Sequence, residues 1–143
     1  MGAYEYAAPT SVEDAVRLLD EADRDGIRTQ ILAGGTDVLV QMRSVDNQPR
    51  TLVDIKQIAE TQRLDIGSDG IFIGAAIPSA ELNENAELKS ILPGLIEAAD
   101  LIGSTLIQCR ASIGGNLCNS SPAGDTIPAL IANAVVCFIA GPT

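Results

Sequence analysis

The sequence predicts an α+β protein built from two small α/β lobes, and three observations carry that expectation. Hydrophobic periodicity switches repeatedly between the helical and the strand kind along the chain. Two short apolar runs are bordered by Gly-Gly turns, and the first leads directly into a helical pattern. Near residue 58 the connections change, from strands alternating with helices to a hairpin followed mainly by helices. At 143 residues and 14.9 kDa, folding should bury about 68–70% of the unfolded surface, enough for a hydrophobic core.

In chain order, Tyr4 to Ala8 reads as extended and stops at Pro9, after which Ser11 and Asp14 resemble a capping box. A first helix follows, with Val12, Ala15, Val16, Leu19 and Ala22 on its apolar face and Gly26 at its end. Thr29 to Ala33 reads as a strand, Gly34-Gly35-Thr36-Asp37 as a turn, and Val38 to Met42 as a second helix. Asn47 to Pro49 marks a turn and Thr51 to Ile55 a strand, closing a first lobe over residues 1–58. Leu64-Asp65-Ile66 and Ile71-Phe72-Ile73 alternate about Ser68-Asp69-Gly70, whose Asp-Gly pair favours a tight hairpin. They open a second lobe over residues 59–143.

Ser79 to Asn83 and Pro93 to Ile102 look helical, the latter burying Leu95, Ala98, Ala99 and Ile102 and stopping at Gly103. Ser112 to Asp125 reads as a long polar loop, a kind of segment that is often functional. Ile127 to Ala132 then reads as a helix and Val135 to Ala140 as a buried strand. Gly141-Pro142-Thr143 is a turn signal, so that strand is expected to reach a hairpin whose return arm lies outside the sequence.

Composition narrows the chemistry. Nine Lys and Arg against 19 Asp and Glu give a formal charge of -10, the wrong sign for binding a nucleic-acid backbone. Mean hydropathy is +0.21, yet the longest apolar stretch, Ile127 to Ala140, is too short to span a bilayer and is interrupted by Pro128 and Asn133. The N-terminus lacks a basic and apolar leader pattern, and a cytoplasmic location is expected. Three Cys without a CxxC pair suggest reduced, buried thiols. The chain has no His, which excludes a His-ligated metal or a Ser-His-Asp triad within this segment.

What remains is binding by backbone groups. In Leu32-Ala33-Gly34-Gly35-Thr36-Asp37 two glycines sit where positive φ is cheap and no Cβ blocks a ligand. Successive N–H groups there can hold a pyrophosphate without Lys or Arg. The plainer alternative is a tight turn with Thr36 or Asp37 as helix cap. Ile113-Gly114-Gly115-Asn116 through Asp125 supplies a second Gly-Gly turn with amides and hydroxyls. Two such turns suggest convergence on one extended ligand with a diphosphate at its middle. Neither matches GxGxxG or a Walker A loop.

Ala33-Gly34-Gly35-Thr36-Asp37, then Arg110-Ala111-Ser112-Ile113-Gly114-Gly115-Asn116 and Ser121-Pro122-Ala123-Gly124-Asp125, resemble the FAD-binding medium subunit of the molybdenum hydroxylases, the xanthine dehydrogenase and carbon monoxide dehydrogenase family. The resemblance implies two α/β lobes of the PCMH type holding FAD, with the third, C-terminal lobe of that family missing. By motif match it points to Leu32, Ala33, Gly34, Gly35, Thr36, Asp37 and Leu39 around the pyrophosphate. It points to Ala111, Ser112, Gly115, Asn116 and Asn119 in the second loop, to Asp125 near the ribose or adenine, and to Ile102 and Ile107 near the flavin ring.

Ser112 stands where Thr is more usual and Cys118 where Ala or Ile is frequent. Cys118 is weighed as a buried hydrophobe against a redox thiol, and Arg110 as a phosphate partner against a structural ion pair. Gly35 and Gly115 are expected to keep space free for phosphate oxygens. No catalytic side chain is implied, and FAD is expected to be noncovalent. The resemblance further implies a large subunit with the molybdenum cofactor and a small one with [2Fe-2S] clusters, electrons passing through FAD to NAD, oxygen or a quinone. Two alternatives stand beside it: a vanillyl-alcohol-oxidase type of flavoprotein, and a truncated assembly module without flavin.

Overall fold

The computed structural model describes residues 4–44 and 49–142. Its first sheet has three parallel strands, β1 (Tyr4–Ala7), β2 (Arg28–Leu32) and β3 (Arg50–Asp54), in the order β1-β3-β2. Parallel neighbours need crossovers, and helix α1 (Val12–Arg24) and helix α2 (Val38–Ser44) supply them. Ser11 caps α1 through its side-chain oxygen, which accepts from the Asp14 N–H at 3.1 Å. After α1 the chain reverses at Gly26, whose φ of +68° suits glycine. Ala15 of α1 packs on Val53 and Ile58, with Val12, Leu19 and Ile55 around them. The turn expected over Asn47 to Pro49 falls largely outside the described residues.

A 3₁₀ turn (Ile55–Gln57) and α3 (Ala59–Gln62) lead to an antiparallel hairpin of β4 (Leu64–Gly67) and β5 (Gly70–Ile73). Helices α4 (Ser79–Glu84), α5 (Ala86–Ile91) and α6 (Pro93–Asp100) follow, then α7 (Thr105–Gln108), α8 (Ile113–Cys118) and α9 (Ile127–Ala132). They enclose a second, larger cluster of Ile77, Leu82, Leu88, Leu95, Ile96, Ile113 and Leu130, against which the apolar faces of both hairpin strands pack. Each leucine fully buried here stabilises by about 1.5–3 kcal/mol. Among the described residues no helix is long and apolar enough to cross a membrane.

Three expectations are corrected. Ser112 to Asp125 is not one loop: Ser112 caps α8 by accepting from Gly115 N–H at 3.1 Å, and that cap carries a helical turn through two poor helix formers, Gly114 and Gly115. Val135 to Ala140 is neither buried nor paired, with Phe138 84% and Ile139 91% exposed. A strand needs a neighbour to take its backbone groups, and among the described residues neither sheet offers this run one. Cys109, Cys118 and Cys137 are free and exposed rather than buried, because they occupy a surface turn, the open end of α8 and that unpaired run.

Candidate functional site: a seam between two glycine turns

The first glycine turn leaves the carboxyl end of β2, the end at which open parallel sheets bind ligands. The second lies 76 residues further on, and the fold sets the two together. A Cβ on Gly34 would run into the carbonyl of Arg110, and one on Gly114 would come within 2.5 Å of the Ala75 carbonyl oxygen. Glycine at 34 is therefore what lets the turns touch, and glycine at 114 is what lets the second turn pack on Ala75 behind it. Arg110 Nε donates to Gly34 O at 3.4 Å, and Gln41 Nε2 to Asn119 Oδ1 at 3.0 Å.

Beneath the first turn lies a group that sequence reading missed. Lys56 Nζ donates to Ala33 O at 2.8 Å and to Asp54 Oδ1 at 2.7 Å, while Tyr6 OH donates to Asp54 Oδ2 at 2.6 Å. Burial by itself would raise the Asp54 carboxyl. Hydrogen bonds from Lys56 and Tyr6, the Lys56 backbone N–H and the ammonium charge together outweigh it and hold Asp54 below the usual carboxylate range. The Tyr6 phenol is pushed up, first by its bond to Asp54, then by desolvation and by the Asp54 charge. The closeness of Asp54 and Lys56 in sequence was the available signal, but Tyr6 is 48 residues away.

The second turn rests on neutral groups. Ser79, fully buried, donates to Ala111 O from its N–H at 2.7 Å and its hydroxyl at 3.1 Å. Thr126, also fully buried, donates to Asn116 Oδ1 from its hydroxyl at 2.7 Å and its N–H at 3.2 Å.

The result is a lopsided set of polar groups. Ala33 O, Gly34 O, Ala111 O, Asn116 Oδ1 and Asn119 Oδ1 each already accept from a protein donor. Among the described residues no backbone carbonyl takes the N–H of Gly34, Gly35, Thr36, Asp37 or Gly114. The side-chain amides of Asn116 and Asn119 keep their NH2 groups as donors. With these five acceptors taken and those backbone donors free, the seam suits an anion such as a pyrophosphate, and these residues fit that part of FAD.

The individual positions vary. Leu32, Ala33, Ala111, Ser112 and Ile102 are buried; Thr36, Gly35, Gly115, Asn116 and Asn119 are half-buried; Asp37, Leu39, Ile107 and Asp125 are exposed. Ser112 spends its hydroxyl on the α8 cap, which also takes the Gly115 N–H. Ile107 packs beside Gly103, whose φ is +56°. The Arg110 guanidinium holds a glycine carbonyl through its Nε. Gly35 serves a different end from the one expected. Its φ is +80°, and a Cβ would meet Leu32 and Leu39 side chains at 2.9 and 3.3 Å. At Gly115 only Ser112 Oγ stands near, at 3.1 Å, so space beside it is open.

Of two surface hollows, one of about 370 Å³ lies over the hairpin and one of about 500 Å³ is lined by Arg28, Arg50 and Gln41, the residue that bridges to Asn119.

Parallel strands with a donor-rich glycine turn at their carboxyl ends, set against a second glycine turn, place these groups where open parallel sheets take up ligands. Residues 2–142 match the family model described as the FAD binding domain in molybdopterin dehydrogenase, and the chain belongs to that family. The xanthine dehydrogenase FAD-binding subunit of Escherichia coli O157:H7 is 35% identical over 131 residues, 90% of this chain and 44% of that protein. The caffeine dehydrogenase subunit beta of Pseudomonas sp. (strain CBB1) is 30% identical over 129 residues, 90% of this chain and 42% of its own length. Reconstituted CO dehydrogenase from Oligotropha carboxidovorans superposes with a TM-score of 0.78 at 30% identity, over 87% of this chain and 43% of the other. The chain thus spans less than half the length of these relatives.

Proposed function

We propose that this chain holds FAD noncovalently by its pyrophosphate along the seam, as the flavin station of a molybdenum-dependent hydroxylase or dehydrogenase. The observation that carries the reading is a set of five backbone N–H groups, those of Gly34, Gly35, Thr36, Asp37 and Gly114, that no backbone carbonyl takes among the described residues. Gly34, Gly35, Thr36 and Asp37 would donate from one side, and Gly114 and the Asn116 and Asn119 amides from the other. Arg110, fixed on Gly34 O, would bring the nearest positive charge to the phosphates. Asp37 and Asp125 would reach ribose hydroxyls as acceptors rather than approach the phosphates.

Bound FAD supplies the exchange between single electrons and electron pairs. The chain's residues supply position only, so no general base or nucleophile is assigned. In the proposed complex, electrons arrive from [2Fe-2S] clusters of a small subunit, after oxidation at a molybdenum cofactor in a large one, and leave to NAD, oxygen or a quinone. Membership of the family and the likeness to CO dehydrogenase support this. We also place the lobe boundary between residues 58 and 59, where one core cluster gives way to the other. Three exposed free thiols suit a reducing compartment, and we place the protein in the cytoplasm. Their exposure removes one expected argument for noncovalent flavin and leaves the absence of His.

The test is purification of the full chain with FAD present. A flavin spectrum that vanishes from the protein on denaturation is the expected outcome, and Gly115→Val should abolish retention by filling the open space. A colourless, folded protein that ignores added FAD overturns the reading, and flavin mass on the denatured chain overturns its noncovalent part.

A further inference from the structure

Lys56 is assigned to nothing by the motif match, yet its ammonium lies directly beneath the first glycine turn, on Ala33 O. We propose that Lys56, held by Asp54 and Tyr6, is a positioning residue for the pyrophosphate site, acting through the Ala33–Gly34 peptide. This rests on the seam being the FAD site.

The argument begins with one planar unit. Ala33 O and the Gly34 N–H belong to the same peptide, and in a trans peptide they point in opposite directions. Lys56 Nζ fixes the carbonyl at 2.8 Å and so fixes where the N–H points, away from the ammonium. The next residues are two glycines, which restrain their own backbone less than any other pair. Without an external hold, the plane at 33–34 can rotate and present a carbonyl where the anion needs a donor.

Lys56 is itself fixed from two sides. Its backbone N–H reaches Asp54 Oδ1 at 3.0 Å while its Nζ reaches the same oxygen at 2.7 Å. Tyr6 OH occupies the other carboxylate oxygen. The chain of contacts therefore ties β1, the end of β3 and the turn after β2 at the sheet's carboxyl edge. Lys56 is mostly buried, so the hydrogen bond is not one that water replaces freely.

Loss of a hydrogen bond to a charged group converts to roughly tenfold to a hundredfold in a binding constant. Lys56→Met should weaken FAD binding to the full chain by about that factor. Because Met beside Asp54 leaves a buried carboxylate without its cation, the double variant D54N/K56M keeps the test sound if the single variant folds poorly. Lys56→Arg, which retains a cationic donor, should recover most of the affinity. Phosphorus NMR of bound FAD should show displaced pyrophosphate resonances in the weakened variants. Asn85→Ala, which removes the side-chain cap of α5 on the Leu88 N–H, is the control: it should lower stability and leave FAD affinity unchanged. D54N/K56M binding FAD within about twofold of wild type, or N85A losing affinity in proportion to its lost stability, overturns the positioning role. A wild-type chain that binds no FAD overturns the seam assignment itself and this inference with it.

Discussion

The two glycine turns meet across one seam, but they are supported by different chemistry. The first sits on a cation, a carboxylate and a phenol, over a small cluster of three buried apolar residues. The second sits on buried hydroxyls and an amide, over a cluster of seven. Hydrogen bonds to charged groups contribute about 1.5–3 kcal/mol each and neutral ones about 0.5–1.5, so the stronger polar hold stands where apolar support is weaker. A charged hold can also be titrated, whereas the neutral one contains no ionisable group.

The largest effect expected from breaking this arrangement is at the contact itself. Gly34→Ala places a Cβ against the Arg110 backbone, which cannot swing aside as a side chain would. It should cost about 3 kcal/mol in urea unfolding and release flavin. Gly26→Ala provides the comparison, since its Cβ meets nothing and only the φ of +68° opposes it; about 1 kcal/mol is expected. Equal costs at the two positions would mean that the turns do not touch in solution.

Acid should separate the turns next. Asp54 is held below its ordinary range in the folded chain, so its stabilising contribution is complete above about pH 4, where an unfolded Asp is ionised. It is lost as pH falls through the lowered folded value. Lys56 and Tyr6 face it. The amide resonances of Ala33 and Gly34, which flank the carbonyl held by Lys56, should therefore move below about pH 4 while those of 111–116 hold still, and Asp54→Asn should abolish the difference. Simultaneous movement of both sets would show one shared support.

Thr126→Val probes the neutral side. It removes the hydroxyl from Asn116 Oδ1 in a site with no solvent access and keeps the shape. A loss of about 1 kcal/mol is expected, unchanged between neutral and acid pH. A loss that depends on pH would put a titrating group under the second turn as well.

The contrast between the turns also explains what the sequence disclosed. Alternation located the hairpin, and apolar spacing with Ser11 located α1, because those signals are local. Both glycine turns were visible as Gly-Gly pairs, and their meeting was expected from there being two such turns and from a resemblance. The reason for each glycine was not visible: Gly34 and Gly114 yield to facing backbone, while Gly35 yields to its φ and to two leucines. Such neighbours lie across the fold and leave no periodic trace. The Tyr6–Asp54–Lys56 support escaped for the same reason, since a bond spanning 48 residues has no spacing rule. Val135 to Ala140 misled in the opposite sense, because composition reports what a strand would bury and is silent on whether a partner strand is present.

The smallest effect expected is at Gln41, whose side chain bridges to Asn119 Oδ1 at an exposed position. Water competes for both groups, so Gln41→Ala alone should cost about 0.5 kcal/mol. A double-mutant cycle with Asn119→Ala isolates the bridge from each residue's other contacts. A coupling of about 0.5 kcal/mol or less leaves the backbone contact at Gly34 as the principal link between the turns. A coupling above about 1.5 kcal/mol would reverse that order, making a side-chain bridge at the surface the element that holds the seam closed.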